Sequence, residues 1–374
     1  MIPIRHVILG AATSVAALAC SPEQRSSDSA SANLPADSAL TRTTISADSG
    51  ETRFGTITQL TFGGENAEAY FSANGEMLIF QATPDGGGCD QQYVMNVDGT
   101  GLRRVSTGEG KTTCGYFYDN DRRILFSSTH AADSACPVRP DPSQGYVWGL
   151  DPFEIYTAMP DGSDLQRLTN WNAYTAEATV SPDGQSVVFT STKDGDLEIY
   201  TMRVDGSNVR RLTNVPGYDG GAFFSPDGTR IIYRAYHPTD SAELATYREL
   251  LGRNMVRPNR MEVWIMNADG SDQRQVTKLG GANFAPFFTP DGQRVIFSSN
   301  YRTPRSSNFD LYLINVDGTG LEQVTTNPAF DGFPMFSPDG TKLIWASNRN
   351  ATKPTDTNLF VADWRAGGAT GDAR

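Results

Sequence analysis

Residues 178–213 read ATVSPDGQSVVFTSTKDGDLEIYTMRVDGSNVRRLT. Apolar and polar residues alternate in four short runs, which span residues 178–181, 186–190, 198–202 and 210–213. Alternation with a period of two indicates β-strands that bury one face. Between the runs, Pro-Asp-Gly and Asp-Gly suit tight turns, because Pro fixes φ and Gly accepts the left-handed conformation. The stretch therefore predicts a four-stranded antiparallel unit with strands A, B, C and D in chain order.

The same phrase recurs along the chain. Versions of Phe-Ser-Pro-Asp-Gly stand at residues 71–75, 117–121, 180–184, 224–228, 288–292 and 336–340. Six residues after the Asp or Asn of each copy comes an aromatic residue, giving the series Phe80, Phe126, Phe189, Tyr233, Phe297 and Trp345. Repeated four-stranded units are the sequence signature of a propeller. Six copies predict an all-β, six-bladed β-propeller.

The ends of the repeat array indicate how the ring closes. The last copy has strands A to C, with residues 359–362 as the third, and no Leu-Thr strand follows. A spare Leu-Thr strand stands at residues 57–61, before the first strand A. We therefore expect the N-terminal segment to supply the outer strand of the last blade, which hides an edge that would otherwise invite aggregation.

The repeat resembles a known family. Phe-Ser-Pro-Asp-Gly, Glu-Ile-Tyr-Thr-Met at 198–202 and Asp-Gly-Ser…Arg-Leu-Thr at 205–213 resemble the WD-like repeats of TolB propellers over residues 53–364. The resemblance implies a binding module, with an association with Tol-type transport or envelope integrity. TolB carries an additional N-terminal α/β domain, so functions that depend on that domain are not implied here. Related repeats occur in protease propellers and in lyases that use His and a divalent metal.

The N-terminus resembles a lipoprotein signal peptide over residues 1–19. Arg5 precedes an apolar stretch too short to span a bilayer. The stretch ends in Ala17-Leu18-Ala19-Cys20, which resembles a bacterial lipobox and implies lipidation of Cys20. Ser21 then implies sorting to the periplasmic face of the outer membrane. Without lipidation, cleavage near Ala19 releases a soluble periplasmic protein.

Composition divides the remaining chain. Residues 20–52 are rich in Ser, Ala, Asp and Thr, which predicts a disordered tether, and residues 365–374 are expected to be a flexible tail.

The formal net charge of -12 makes nucleic acid an unfavourable partner. The expected partners are an envelope protein, a peptide or a glycan, with membrane contact through the lipid anchor only. Nothing in the sequence indicates an oligomeric state.

Two enlarged loops suggest where a partner binds. Strands B and C are joined by about residues 130–152 in blade two and 236–260 in blade four, on the same face of the ring. In the first loop, Tyr146 and Trp148 are suited to stack on a sugar, to clamp a peptide, or to form the loop's own small core. In the second, a start at Asp240 and helical spacing of apolar residues predict one short helix that stops near Gly252.

Histidines and carboxylates supply the candidate chemistry. His130 and His237 each follow the strand-B aromatic residue by four positions and open the two loops. Carboxylates at or before strand A are expected near the channel entrance; these are Glu68, Glu177, Asp219 and Asp331. Such a set suits either a divalent metal site or hydrogen bonds that anchor the loops. No catalytic residue is assigned, since no Gly-x-Ser-x-Gly elbow is present. The alternative function is a periplasmic glycan-active lyase or hydrolase that uses these residues.

Three cysteines remain besides Cys20. Cys89, Cys114 and Cys136 all belong to the loop-bearing face of the predicted propeller. An oxidising compartment favours one disulfide and leaves one thiol. The sequence does not select the pair.

Overall fold

Each repeat forms one antiparallel sheet in the computed structural model, which describes residues 42–141, 143 and 145–367. Blade one contains β3 (Glu65–Phe71), β4 (Met77–Thr83), β5 (Gln91–Asn96) and β6 (Arg103–Arg104). Blade two contains β7 (Thr112–Tyr118), β8 (Arg123–Ser128), β10 (Glu154–Ala158) and β11 (Gln166–Arg167). Blade three contains β12 (Thr175–Val180), β13 (Ser186–Ser191), β14 (Glu198–Arg203) and β15 (Arg210–Arg211).

The second half of the ring continues the pattern. Blade four contains β16 (Tyr218–Phe224), β17 (Arg230–Tyr236), β19 (Glu262–Asn267) and β20 (Arg274–Gln275). Blade five contains β21 (Asn283–Phe288), β22 (Arg294–Ser299), β23 (Asp310–Asn315) and β24 (Glu322–Gln323). Blade six contains β25 (Asp331–Phe336), β26 (Lys342–Ser347) and β27 (Asn358–Trp364), followed outward by β2 (Phe54–Gln59) and β1 (Thr43–Ile45). The prediction of a six-bladed β-propeller is confirmed.

Blade six closes the ring as expected. Strand β2 pairs antiparallel with β27, with Thr58 opposite Val361 and Gln59 opposite Phe360. The first and last segments of the propeller are therefore neighbours in one sheet. Unfolding of either end must break the same ladder.

The recurring Leu-Thr phrase has a structural role. In each blade, the hydroxyl oxygen of its Thr or Ser accepts a hydrogen bond from the backbone N–H of the second residue of the third strand, over 2.8–3.0 Å. The side chain adds one hydrogen bond to the ladder between the third and outer strands, just beyond the last residue of the short outer strand. The hydroxyl residues are Ser106, Thr169, Thr213, Thr277, Thr325 and, in blade six, Thr61. Thr61 thus marks residues 57–61 as the missing outer strand.

The core lies between adjacent sheets. The recurring aromatic residue of the second strand is at most 1 % exposed in every blade. In blade three, the Phe189 ring stacks on Tyr200 with centroids 5.6 Å apart. Burial of one such side chain contributes roughly 1.5–3 kcal/mol. The same buried aromatic anchor recurs in all six sheets.

The ordered domain begins before residue 53, where the predicted tether ends. Within residues 42–52, β1 pairs with β2, placing Thr44 opposite Thr58. The Glu51 side chain is fully buried and forms an ion pair with Arg349. Few apolar residues led us to expect disorder here, but backbone pairing and an ion pair order the segment instead. The predicted signal peptide, Cys20 and the rest of the tether lie outside the described residues.

The last strand of the propeller is followed by a contact with the N-terminal segment. Strand β27 ends at Trp364, and the next residue, Arg365, donates its backbone N–H to the Arg53 carbonyl over 2.8 Å. The predicted tail from residue 368 onward lies outside the described part of the chain.

The two enlarged loops contain the remaining elements. Strand β9 (Trp148–Gly149) of the first loop pairs with β18 (Met255–Val256) of the second. The predicted helix is α1 (Ser241–Leu251), capped by the Asp240 carboxylate. In residues 42–141, 143 and 145–367, no helix has the length and apolar character needed to cross a membrane.

Candidate functional site

The innermost strand of every blade contains a β-bulge at the same position. Pairing between the first two strands shifts there in all six blades, for example between Ala176 and Thr179. The bulged residues have φ between 50° and 60° and are Glu68, Cys114, Glu177, Gly221, Ala285 and Phe333. A left-handed residue is costly unless its surroundings enforce it, and a bulge redirects its side chain. The six repeats thus place one bulge residue each around the channel.

These six bulge residues line one cavity in the channel, together with Tyr70, Thr179, Phe223 and Arg234. Its volume is about 20 Å³ for the centre of a water-sized sphere. That space holds roughly one water molecule. The bulge residues therefore narrow the channel to a constriction.

Glu68 and Cys114 lie together in this constriction. Burial raises the pKa of the Glu68 carboxyl to about 7, although a hydrogen bond with Cys114 lowers it. Among the described residues, Glu68 Oε2 has no hydrogen-bond partner. Burial and the charge of Glu68 raise the pKa of the Cys114 thiol well above its usual value. At neutral pH the thiol keeps its proton, and Glu68 is close to half-protonated.

Glu177 and Arg234 form the charged part. The Arg234 guanidinium makes an ion pair with Glu177 and donates a hydrogen bond to the Tyr218 hydroxyl over 2.6 Å. Glu177 Oε2 also accepts from the Gly221 backbone N–H over 2.8 Å. A Cβ atom on Gly221 would lie 2.0 Å from Arg234 Nη1, so a larger residue there would displace the guanidinium. These contacts hold the guanidinium beside the Glu177 carboxylate.

The opposite side of the entrance is aromatic. Phe333 contacts Phe284, with ring centroids 5.5 Å apart, and Phe330, at 6.2 Å. Phe309 joins them, 5.1 Å from Phe284. Phe309, Phe330 and Phe333 are only half-buried. Blades one to three thus present polar groups, whereas blades five and six present an apolar surface.

The two enlarged loops pack together on the same face, and we call their described residues the loop platform (residues 129–141, 143, 145–153 and 237–261). Beside the β9–β18 pair, Val147, Leu250 and Met255 form a small buried cluster. A disulfide joins Cys89 of blade one to Cys136 of the platform, leaving Cys114 as the buried free cysteine among the described residues. This selects one of the pairings that the sequence left open.

Trp148 and Tyr146 have different roles in this platform. The Trp148 ring lies 5.2 Å from the Arg234 guanidinium carbon and packs edge-on against Tyr218. Its indole N–H donates to the Tyr146 hydroxyl over 3.1 Å. Tyr146 is 73 % exposed, whereas Trp148 is half-buried. Trp148 therefore joins the platform to the channel residues, and Tyr146 projects beside it.

The two histidines have separate partners. His130 Nδ1 lies 2.7 Å from the Ser128 hydroxyl, and its ring packs on Tyr156. His237 Nε2–H donates to Asp219 Oδ1 over 3.0 Å. No group of three or more His, Cys, Asp or Glu residues in the described part of the chain is arranged to hold a metal ion. Both histidines thus make local hydrogen bonds at the start of their loops.

The four predicted carboxylates divide into two pairs. Glu68 and Glu177 are bulge residues and line the channel constriction. Asp219 and Asp331 stand two positions earlier in the repeat and are buried within their blades. Asp331 accepts from the Trp345 indole N–H over 3.1 Å and from Arg349 over 2.8 Å. The bulge between the two positions changes the side-chain direction, which a regular strand pattern does not reveal.

Sequence reasoning missed several residues of the entrance. Arg234 lies on the second strand, one residue after the recurring aromatic Tyr233, and the sequence analysis did not consider this position. Phe333 was not predicted as a site residue, because the bulge residues of the other five blades are not aromatic. The bulge residue stands three positions before the first residue of each Phe-Ser-Pro-Asp-Gly phrase. Alignment of the six repeats on this phrase would therefore have grouped the bulge residues.

Comparisons with known proteins agree with this architecture. The family model of the TolB β-propeller domain matches residues 149–250 and 253–367. A structure assigned to TolB of Agrobacterium tumefaciens is 18% identical, with 83% of this chain and 94% of that chain covered and a TM-score of 0.54. TolB from Acinetobacter baumannii is 17% identical, with 81% and 64% covered and a TM-score of 0.51.

A further similar structure belongs to an enzyme. Oligogalacturonate lyase from Vibrio parahaemolyticus is 12% identical, with 87% of this chain and 97% of that chain covered and a TM-score of 0.52. At such identities the likeness concerns the fold alone. No protein with a curated description matches the sequence.

Proposed function

Because this chain belongs to the TolB β-propeller domain family, we propose that it is an exported binding module that holds a protein or peptide partner at the channel mouth. The face with the loop platform is the binding face. Propeller folds host many activities, so the proposal rests on the site rather than on the fold.

The observation that carries it is the two-sided entrance. Carboxylates and the Arg234 guanidinium lie on one side, and half-buried Phe309, Phe330 and Phe333 lie on the other. Binding sites commonly combine an apolar surface with a few fixed polar groups. The constriction leaves space for about one water molecule, so a partner segment docks over the mouth without passing through.

The loop platform supports recognition of a protein segment. Tyr146 is 73 % exposed and Val138 93 % exposed on the first loop, which the disulfide and β9 hold in place. Exposed tyrosine on a rigid support loses little conformational entropy on binding. A glycan partner that stacks on Tyr146 is an alternative occupant of the same face.

We also propose that the module is anchored in the envelope through Cys20. The lipobox-like sequence carries this part of the proposal. Replacement of Cys20 by Ala is expected to move the protein from the membrane fraction to the soluble periplasmic fraction. An unchanged distribution would contradict anchoring without affecting the binding face.

The lyase alternative lacks a supporting observation. A structural neighbour is an oligogalacturonate lyase, but His130 and His237 bind Ser128 and Asp219 in their own blades. Nothing in the described residues brings these two rings to a common centre. We therefore develop the binding function and leave the enzymatic one aside.

Site-specific photo-crosslinking tests the binding face. A photoreactive phenylalanine analogue replaces Tyr146, and in a control variant it replaces Met159. Met159 is 44 % exposed and follows the third strand of blade two, on the opposite face. In intact cells the Tyr146 variant should give one discrete adduct, which excess unlabelled protein suppresses.

The outcomes separate the occupants. Mass spectrometry of the digested adduct distinguishes them: a peptide of another protein joined to residue 146 supports a protein partner, and a carbohydrate mass that glycosidase removes supports a glycan. Equal labelling from Met159, or none from Tyr146, would overturn the assignment of this face.

A further inference from the structure

The first residue of the second strand differs in blade three. This position carries a long side chain in the other five blades, namely Met77, Arg123, Arg230, Arg294 and Lys342. Blade three has Ser186 instead. The substitution removes several heavy atoms from the junction between blades three and four, at the face of the A–B turns.

Arg230 shows what the long side chain does at the next junction. Its guanidinium carbon lies 5.5 Å from the Phe288 ring of blade five. Its Nη2 group donates to the Gly292 carbonyl of the neighbouring A–B turn over 2.9 Å. Phe288 is only 2 % exposed beneath it. One arginine thus combines cation–π stacking with a backbone hydrogen bond between two blades.

The corresponding space between blades three and four is open. A cavity of about 470 Å³ is lined by Ser186 together with Phe224 and Gly228, the counterparts of Phe288 and Gly292. Phe224 is half-buried, whereas its counterparts in the repeat are at most 6 % exposed, namely Phe71, Phe117, Val180, Phe288 and Phe336. We call this cavity the blade-three slot.

The charge of the slot suits a cation. Asp183 and Asp227 line it, and no lysine or arginine is among its lining residues. Hydrogen bonds from Ser225 and Thr229 lower the pKa of the Asp227 carboxyl to about 2, and one from Ser181 lowers that of Asp183. These turn contacts use Oδ1 of both aspartates. Both side chains are exposed carboxylates at neutral pH.

We propose that the blade-three slot binds the guanidinium group of an arginine side chain from a partner protein. The Phe224 ring supplies the stacking surface, the Gly228 carbonyl an acceptor, and the two aspartates the opposite charge. Arginine is favoured over lysine, because its planar group stacks on an aromatic ring while its N–H groups donate at the edges. Arg230 makes the same combination of contacts one blade further on.

This site is separate from the proposed channel-mouth function. The slot lies at the A–B turns, whereas the loop platform lies at the opposite ends of the same strands. Loss of one site therefore leaves the other intact. A partner that engages the slot with arginine contacts the face away from the channel mouth.

Peptide titration tests the slot directly. The capped peptide Gly-Gly-Arg-Gly-Gly is titrated into the full chain at low salt, with binding followed by NMR shifts or calorimetry. Peptides with lysine or citrulline in place of arginine should bind at least fivefold more weakly. Free arginine amide, tested in parallel, shows whether the peptide backbone adds affinity.

Two substitutions should close or weaken the slot. Ser186→Arg supplies the missing side chain from within the chain and should weaken peptide binding at least tenfold. The matched control Gln185→Arg adds the same charge at the neighbouring exposed residue and should leave binding within twofold of the parent. Asp227→Asn keeps the Oδ1 acceptor of the turn but removes the charge, and should weaken binding at least threefold.

Specific results would overturn the proposal. Equal affinity of the citrulline peptide would remove the role of charge, and unchanged binding in Ser186→Arg would place the peptide elsewhere. Should Ser186→Arg fail to fold by circular dichroism, the Asp183→Asn/Asp227→Asn pair carries the test, and full binding by that pair also contradicts the slot.

Discussion

The guanidinium of Arg349 donates a hydrogen bond to the carboxylate of Glu51 over 3.1 Å, and the two side chains are 3 % and 0 % exposed. Arg349 follows β26 of blade six, and Glu51 lies just before β2. The same guanidinium contacts Asp331 over 2.8 Å. The buried Arg349 side chain thus joins the N-terminal segment to the inner strand of blade six, the blade that this segment completes.

Removal of this cation should destabilise the ring. In Arg349→Met, two buried carboxylates lose their partner, which costs about 3–5 kcal/mol of unfolding free energy. Urea unfolding followed by tryptophan fluorescence measures the loss. The control Lys353→Met breaks the exposed pair with Asp85 and should cost less than about 1 kcal/mol. Similar losses in the two variants would show that closure does not depend on the buried pair.

Glu68 should make stability fall as the pH rises. Its pKa is about 7 in the folded state against an ordinary value of 4.5, because burial disfavours the charge. Between these values the folded protein binds more protons than the unfolded chain, so stability decreases with increasing pH. Relative to the parent, Glu68→Gln should therefore gain about 2–3 kcal/mol of unfolding free energy between pH 4 and pH 8.

Urea titrations of both proteins at the two pH values measure this gain. Thr113→Val lies next to Cys114, which hydrogen-bonds to Glu68 from the blade-two bulge, and serves as a control for a local disturbance without loss of a carboxyl group. A constant difference between the Gln variant and the parent would mean that Glu68 titrates normally.

The pKa values of the two histidines should be shifted in opposite directions from the ordinary value. Burial lowers the pKa of His130 below its ordinary value of 6.5. For His237, burial also opposes the charge, but the hydrogen bond and charge of Asp219 prevail and raise its pKa above 6.5. The contribution of His237 to stability is present below the ordinary pKa and is lost as pH rises through the folded value, whereas that of His130 is lost on acidification.

Imidazole NMR titration separates these effects. His130→Gln and His237→Gln assign the two resonances, and His237 should titrate at the higher pH. In Asp219→Asn the pKa of His237 should fall. The reverse order of the two resonances would contradict the described contacts.

The Cys89–Cys136 disulfide should keep the loop platform closed. Replacement of Cys136 by Ser opens a loop of sequence separation 47. The chain-entropy model assigns about 4 kcal/mol to such a crosslink. We expect chymotrypsin to cleave after exposed Tyr146 at least tenfold faster in this variant, whereas Ser134→Ala in the same loop should leave the rate unchanged. Equal rates in all three proteins would show that the β9–β18 pair alone holds the platform.

Much of the fold follows from local sequence signals. Strand alternation, Pro-Asp-Gly turns and the repeated aromatic residue predicted six blades, because each acts within one four-stranded unit. Thr61 was recognisable by its Leu-Thr context. The helix after Asp240 was also predictable from capping and spacing, although Gly252 has φ -63° and the left-handed residue is Asn254.

The site was less accessible from the sequence. Glu68 and Glu177 were assigned to the channel, but Asp219 and Asp331 were grouped with them because each stands at or near the start of an inner strand. The bulge separates the two positions. Arg234 was overlooked, since its partners Glu177 and Trp148 come from other blades.

By itself, the sequence determined the number of blades, the closing strand and the position of the two large loops, because these depend on contacts between residues close in the chain or on counting repeats. Only the tertiary structure decided which cysteines pair, which carboxylates face the channel, and that Glu51 belongs to the ordered domain. Those outcomes depend on contacts between distant segments, such as Cys89 with Cys136 and Glu51 with Arg349. Residue type alone cannot specify such contacts, because all carboxylates have the same chemistry, as do all thiols. Only the folded ring places one of them next to a particular partner.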